Sequence, residues 1–122
     1  DGTNLTLYNL SIVGAHDALS YDLDTVYSTS ASAELRSIVE EGSRTAALVV
    51  DEFTERALAF ARRAAETQFL TVSQQLDSGV RFLDCRINYE TDKKEWYSLH
   101  TMRSKQEIYV YLGEIRTWMV RH

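Results

Sequence analysis

The stretch Leu70-Thr71-Val72-Ser73-Gln74-Gln75-Leu76-Asp77-Ser78-Gly79-Val80-Arg81-Phe82-Leu83-Asp84-Cys85-Arg86 organises the chain. Thr71, with Gln74 three residues on, forms a capping box, in which each side chain satisfies the other residue's backbone N–H at a helix start. Gly79 stands where a short helix ends in a left-handed residue, a conformation that costs glycine little. Val80 to Ile87 then reads as a strand. Its two-residue period puts Val80, Phe82, Asp84 and Arg86 on one face and Arg81, Leu83, Cys85 and Ile87 on the other. A carboxylate and a guanidinium therefore share a face near the strand's end.

Upstream, Leu5 to Val13 is rich in Leu, Tyr, Ile and Val and closes on Gly14, the pattern of a buried strand that delivers His16-Asp17 at its C-terminal end. Tyr21 to Ser32 is expected to be a loop, followed by a short helix over Ala33 to Glu41 that Gly42 stops. In Asp51 to Glu66, Phe53, Ala57, Phe60, Ala61 and Ala64 recur at helical spacing. Downstream, Asn88 to Lys94 is a turn or short link, Trp96 to His100 a strand, and the last element a helix with Leu112, Ile115, Trp118 and Met119 as its apolar stripe. Strands and helices in this order, with polar residues at strand ends, predict an α/β fold in which ligands collect at the C-terminal edge of the strands. By length alone the Asn88–Glu95 link suggests a hairpin, because parallel neighbours need a crossover of a dozen or more residues.

The net charge of −5 over 122 residues argues against general nucleic-acid binding, which needs clustered Lys and Arg. A single cysteine, Cys85, cannot form an internal disulfide. No run of about 18 apolar residues is present for a membrane span.

Two of the three histidines, His16 and His100, end predicted strands, and Arg86 ends another. Cleavage of a phosphodiester by internal attack needs a base for a hydroxyl proton, a cation for the phosphorane and an acid for the leaving oxygen. Imidazole titrates near neutral pH and suits both proton roles, while guanidinium binds phosphate oxygens as a fork. A strand-end histidine is nevertheless more often structural than catalytic, and Asp84 with Arg86 reads equally well as a structural ion pair. On pattern alone the reading stops at an α/β protein with the residues of a hydrolase.

The segment Ser11-Ile12-Val13-Gly14-Ala15-His16-Asp17-Ala18-Leu19-Ser20-Tyr21 resembles the opening motif of phosphatidylinositol-specific phospholipase C X domains. The Leu70–Arg86 stretch resembles the family's second motif, and Tyr97-Ser98-Leu99-His100 falls where the family carries its second histidine. Three motifs in order span nearly the whole chain. The resemblance implies that His16 is the general base on the inositol 2-hydroxyl, that His100 is the general acid toward the diacylglycerol oxygen, and that Arg86 holds the phosphate. It implies that Asp17 and Asp84 orient these groups. Phe82 stands where metal-dependent relatives carry a Glu ligand, so the resemblance is to the metal-independent branch, with no metal or other cofactor expected. Thr101 stands where the family usually has Gly, and residues 44–66 read as an insertion.

The fold implied is the N-terminal part of a distorted (β/α)8 TIM-type barrel with parallel strands, residues 1–122 being a partial X domain that continues beyond His122. The expected partner is a phosphatidylinositol-type phospholipid, met by a protein peripheral to a membrane and, on balance, cytoplasmic. The competing readings are an X domain that binds lipid but turns over little, and a phosphodiesterase acting on another phospholipid or a glycerophosphodiester.

Overall fold

A computed structural model of the chain describes residue 6 and residues 10–30 and 50–122. The helix expected over Ala33 to Glu41 lies outside these residues, as does most of the strand expected over Leu5 to Val13. The described elements are β1 (Val13–Ala15), a 3-10 turn (Ser20–Asp22), β2 (Leu23–Tyr27), α1 (Val50–Ala65), α2 (Val72–Asp77), β3 (Val80–Leu83), β4 (Ile87–Glu90), β5 (Glu95–His100), β6 (Met102–Glu107) and α3 (Ile108–Arg121).

The organising stretch folds as its chemistry dictates. The Thr71 hydroxyl accepts from the Gln74 N–H at 3.3 Å while the Gln74 amide oxygen accepts from the Thr71 N–H at 2.9 Å. Gly79 takes φ +97°, and β3 starts at the next residue. The strand then departs from the expectation. It ends at Leu83 rather than running to Ile87, and Asp84, Cys85 and Arg86 carry the chain from one sheet to another.

The barrel expectation is overturned. Among the described residues β1 and β3 form a two-stranded parallel sheet, and a separate four-stranded sheet in the order β2-β6-β5-β4 is antiparallel throughout. No closed barrel is present among them. The short link after β4 is the physical reason. Residues 91–94 turn the chain straight back, so β4 pairs with β5 as a hairpin, with Tyr89 opposite Trp96. Their rings meet edge to face at 5.5 Å, a cross-strand contact that fixes the register.

Three strands were not expected, β4 among them, since residues 88–90 lie in the presumed turn. β2 occupies the presumed loop, with Leu23 fully buried. β6, Met-Arg-Ser-Lys-Gln-Glu, is an inner strand despite its polarity. Three of its polar side chains find partners across the sheet or beside it. Arg103 pairs with Asp92 at 2.8 Å and lies over the Tyr97 ring, Lys105 pairs with Asp22 at 3.0 Å, and the Ser104 hydroxyl accepts from the Ser98 N–H at 3.0 Å.

Two apolar clusters hold the helices down. Leu19, Val72, Leu76, Ile108 and Tyr111 join α2 to α3, and Leu83, Cys85, Ile115 and Trp118 pack on their edge. Leu23, Ala65 and Met102 join α1 to the four-stranded sheet, with Leu58 and Ala61 alongside. Fully burying a side chain such as Leu23 or Met102 is worth roughly 1.5–3 kcal/mol. Both helices keep only part of their expected faces, Ala61 in α1 and Ile115 and Trp118 in α3. α1 buries Ala65, half-buries Leu58 and Ala61 and leaves Phe60 exposed, while α3 buries Ile108 and Tyr111 and leaves Leu112 and Met119 exposed.

One buried charge ties the sheet to the end of β2. Glu90 is fully buried, and its carboxylate accepts from the Ser28 hydroxyl at 2.5 Å, the Thr29 N–H at 2.8 Å and the Asn88 amide at 3.0 Å. Burial pushes its pKa up, but these hydrogen bonds outweigh burial and hold it below the ordinary carboxyl value. A group whose folded-state pKa is depressed contributes stability above its unfolded-state value, and that contribution is lost as pH falls through the folded value. The melting temperature is therefore expected to fall as pH drops below about 4.3. The slope should be shallower in Glu90→Gln, as followed by circular dichroism.

Candidate active site

The tripeptide that crosses between the sheets also builds the site. The Asp84 N–H donates to the Ala15 carbonyl at 3.0 Å and the Ala18 N–H donates to the Asp84 carbonyl at 2.8 Å, so Asp84 is held beside the turn that carries His16 and Asp17. On the other side the Arg86 carbonyl accepts from the Leu99 N–H at 3.0 Å and the Ser98 hydroxyl at 3.1 Å, which brings Arg86 beside His100. All five candidate residues, His16, Asp17, Asp84, Arg86 and His100, come together here, at the seam between the two sheets.

Asp17 is the hub. Its side chain is 2% exposed, and it lies 2.8 Å from Arg86 Nε through Oδ1. Through Oδ2 it lies 3.1 Å from His16 Nε2 and 3.5 Å from His100 Nε2. Neither carboxylate oxygen has a well-directed hydrogen bond, so the attraction of the guanidinium offsets the cost of burying the charge. Both imidazoles thus aim their Nε2 atoms at one oxygen.

The opposite edges of the two rings are held differently. His16 Nδ1 is 2.8 Å from Asp84 Oδ2, and Arg86 Nη2 is 3.4 Å from His16 Nε2. The Asp84 acceptor fits a hydrogen on Nδ1, while Nε2 lies between the Asp17 carboxylate and the Arg86 guanidinium. His100 Nδ1 lies 2.7 Å from the Ala65 carbonyl at the end of α1. His16 is largely exposed, Arg86 half-exposed and His100 more sheltered. The site is open to solvent on the His16 and Arg86 side.

The residues that follow the histidines, Asp17 and Thr101, both have positive φ, 48° and 65°. Asp enters this region readily, but a β-branched residue there is strained. The strain at Thr101 is held by neighbours, since its carbonyl accepts from the Ser28 N–H at 3.2 Å.

Three contributors escaped the sequence reading. The Gln75 amide, inside the second motif, donates to the Ala18 carbonyl at 2.7 Å and the Leu70 carbonyl at 2.8 Å, and so fastens the His16 turn to α2. Gln68 donates to the His16 carbonyl at 2.8 Å. Ala65 acts through its backbone, which no residue pattern announces. Cys85, between Asp84 and Arg86, has its thiol pushed up by burial and by the Asp84 charge, which argues against a thiolate nucleophile.

His16, Asp17 and Asp84 present donor atoms within 4.8 Å of one another, the one such grouping among the described residues. Arg86 sits against it, 2.8 Å from Asp17 and 3.8 Å from Asp84. A metal placed there would meet a fixed positive charge.

Comparison with known proteins defines the class. The family model PI-PLC X 1 matches residues 55–122, more than half of the chain, and the chain belongs to the PI-PLC X domain family. It is 31% identical over 121 residues to human PI-PLC X domain-containing protein 1, covering 98% of this chain and 35% of that protein. The zebrafish (Danio rerio) protein of the same name is 30% identical over 121 residues, 98% of this chain and 36% of its own. The mouse protein of that name is 33% identical over 122 residues, 98% of this chain and 32% of its own. The chain thus spans about a third of the length of the curated relatives it matches. No solved structure gives a significant match. No helix among the described residues is long and apolar enough to cross a membrane.

The dependence of Asp17 on Arg86 is testable without any substrate. Arg86→Met leaves a buried carboxylate uncompensated and is expected to lower stability by about 1–3 kcal/mol. The double variant Arg86→Met/Asp17→Asn should recover part of that loss, because it removes the orphaned charge. Urea midpoints of the three proteins measure both effects. A double variant less stable than Arg86→Met would contradict the pairing.

Proposed function

We propose that this chain is part of a PI-PLC X domain that cleaves phosphatidylinositol to diacylglycerol and inositol cyclic phosphate, using two histidines and an arginine without a metal. The observation that supports the reading best is the convergence of both Nε2 atoms and the Arg86 guanidinium on the buried Asp17 carboxylate. A structural histidine has no need of such an arrangement twice.

In this mechanism His16 takes the proton of the inositol 2-hydroxyl on Nε2, while Asp84 at Nδ1 holds the ring in the required tautomer. The hydroxyl oxygen then attacks phosphorus. Arg86 is tied to Asp17 through Nε, and its Nη2 stands 3.4 Å from His16 Nε2, so the half-exposed guanidinium would meet phosphate oxygens beside that ring. Negative charge developing on the phosphorane is thus met by a cation that is already oriented. His100 gives its Nε2 proton to the diacylglycerol oxygen as the P–O bond breaks. A lipid headgroup would enter over the exposed His16 face, with the protein lying against the membrane surface.

A second reading, an X domain that binds lipid and turns over little, draws on the positive φ of Thr101 beside His100. The experiment that separates the two measures inositol cyclic phosphate released from phosphatidylinositol vesicles by the full-length protein, with and without chelator. Release insensitive to chelator is expected. His16→Ala and His100→Ala should each lower turnover by at least roughly a hundredfold, the usual scale for a lost general acid or base. Arg86→Lys should also be slow, since an ammonium cannot reproduce the fork. Vesicle binding with no release by the wild type, and release once Thr101→Gly relaxes the backbone, would instead favour the second reading.

A further inference from the structure

Residues 65–68, where the chain leaves α1, touch both histidine-bearing segments at once. The Ala65 carbonyl meets His100 Nδ1 at 2.7 Å, and the Gln68 amide donates to the His16 carbonyl at 2.8 Å. Between them the Thr67 N–H donates to the Ser20 hydroxyl at 3.2 Å, and the Thr67 and Ser20 hydroxyls are 2.8 Å apart. This four-residue stretch therefore links the two histidine-bearing segments, as the Asp84–Arg86 crossing also does.

The Ala65 contact has a chemical consequence. A carbonyl oxygen only accepts, so a close contact at Nδ1 requires that nitrogen to carry hydrogen. The last carbonyls of a helix lack intrahelical donors, which leaves Ala65 free for this role. With Nδ1 committed, Nε2 is the atom of His100 that gains or loses a proton, and Nε2 is the one directed at Asp17 at 3.5 Å. The position of the carbonyl is in turn set by packing, because Ala65, the last residue of α1, is 6% exposed and packs with Leu23 and Met102 of the four-stranded sheet.

We propose that residues 65–68 are a positioning element of the site, in which the Ala65 carbonyl selects Nε2 as the working nitrogen of His100 and the Gln68 amide holds the His16 backbone in reach of it. The proposal rests on the reading of His16 and His100 as the proton-transfer pair. It assigns a role to α1, within the segment that the sequence reads as an insertion.

The test uses full-length protein with 15N-labelled histidine. In long-range 1H–15N spectra recorded about two pH units above the ordinary imidazole pKa, His100 is expected as the Nδ1–H tautomer. In Gln68→Glu, which removes the donor, the His16 ring signals should move while the His100 tautomer stays. Gln68→Lys, which keeps a donor of similar reach, should restore the wild-type His16 signals. Turnover should follow the spectra, with kcat about tenfold lower in Gln68→Glu at little change in KM, and near normal in Gln68→Lys. An Nε2–H tautomer at His100 in the wild type overturns the proposal, as does a Gln68→Glu variant with unmoved His16 signals. If the wild type releases no cyclic phosphate, the functional reading falls, and the spectra alone decide the positioning.

Discussion

The pairing of Asp17 with Arg86 is the constraint around which the site is arranged. A carboxylate taken out of water without well-directed hydrogen bonds is costly, and here its compensation comes from a single guanidinium at 2.8 Å. That requirement fixes the residues around it. The turn that carries Asp17 is pinned by Gln75 and by Asp84, and the segment that carries Arg86 is pinned by β5. The same carboxylate then offers one oxygen to two imidazoles, so the interaction that stabilises the turn also sets the distance between them.

The backbone carries part of the arrangement as well. Asp17 and Thr101, each immediately after a histidine, both take positive φ, so the chain bends sharply once its imidazole has been delivered. At Asp17 the local chemistry tolerates the bend. At Thr101 it does not, and the Ser28 bond to its carbonyl belongs to the same group of contacts that holds Glu90. The buried glutamate and the second histidine are in this way mechanically connected through the end of β2.

Local rules were legible in the sequence wherever one residue decides one conformation. Thr71, Gln74 and Gly79 specify the start and end of α2 without help from the rest of the chain. The length of the Asn88–Glu95 link likewise pointed to a hairpin, whose turn is confined to residues 91–94, and the family-based expectation of parallel strands there was the reading that failed. What could not be read depends on partners distant in sequence. β6 looks too polar for an inner strand until Asp92, Asp22 and Ser98 are in place around it. The faces of α1 and α3 could not be chosen either, because each helix has an apolar arc wider than the stripe it buries. Of the site, the residue types were readable, as were the places of His16 and His100 at strand ends, whereas Asp84 and Arg86 stand on the crossing between the sheets and not on the expected strand. The Ala65 carbonyl was not, since a backbone atom leaves no mark in composition.

The placement of the site across two sheets bears on how the protein fails under stress. Its histidines belong to different hydrogen-bonded units, one following the short parallel pair and the other on the four-stranded sheet. Each sheet can keep its own ladder while the two drift apart, and a slip of about an ångström between reacting groups is enough to cost a large factor in rate. Proteins open locally at less free energy than they unfold globally, and a boundary crossed by a few hydrogen bonds is where such opening begins. Heat or mild denaturant should therefore part the Asp17–Arg86 cluster before it dissolves secondary structure.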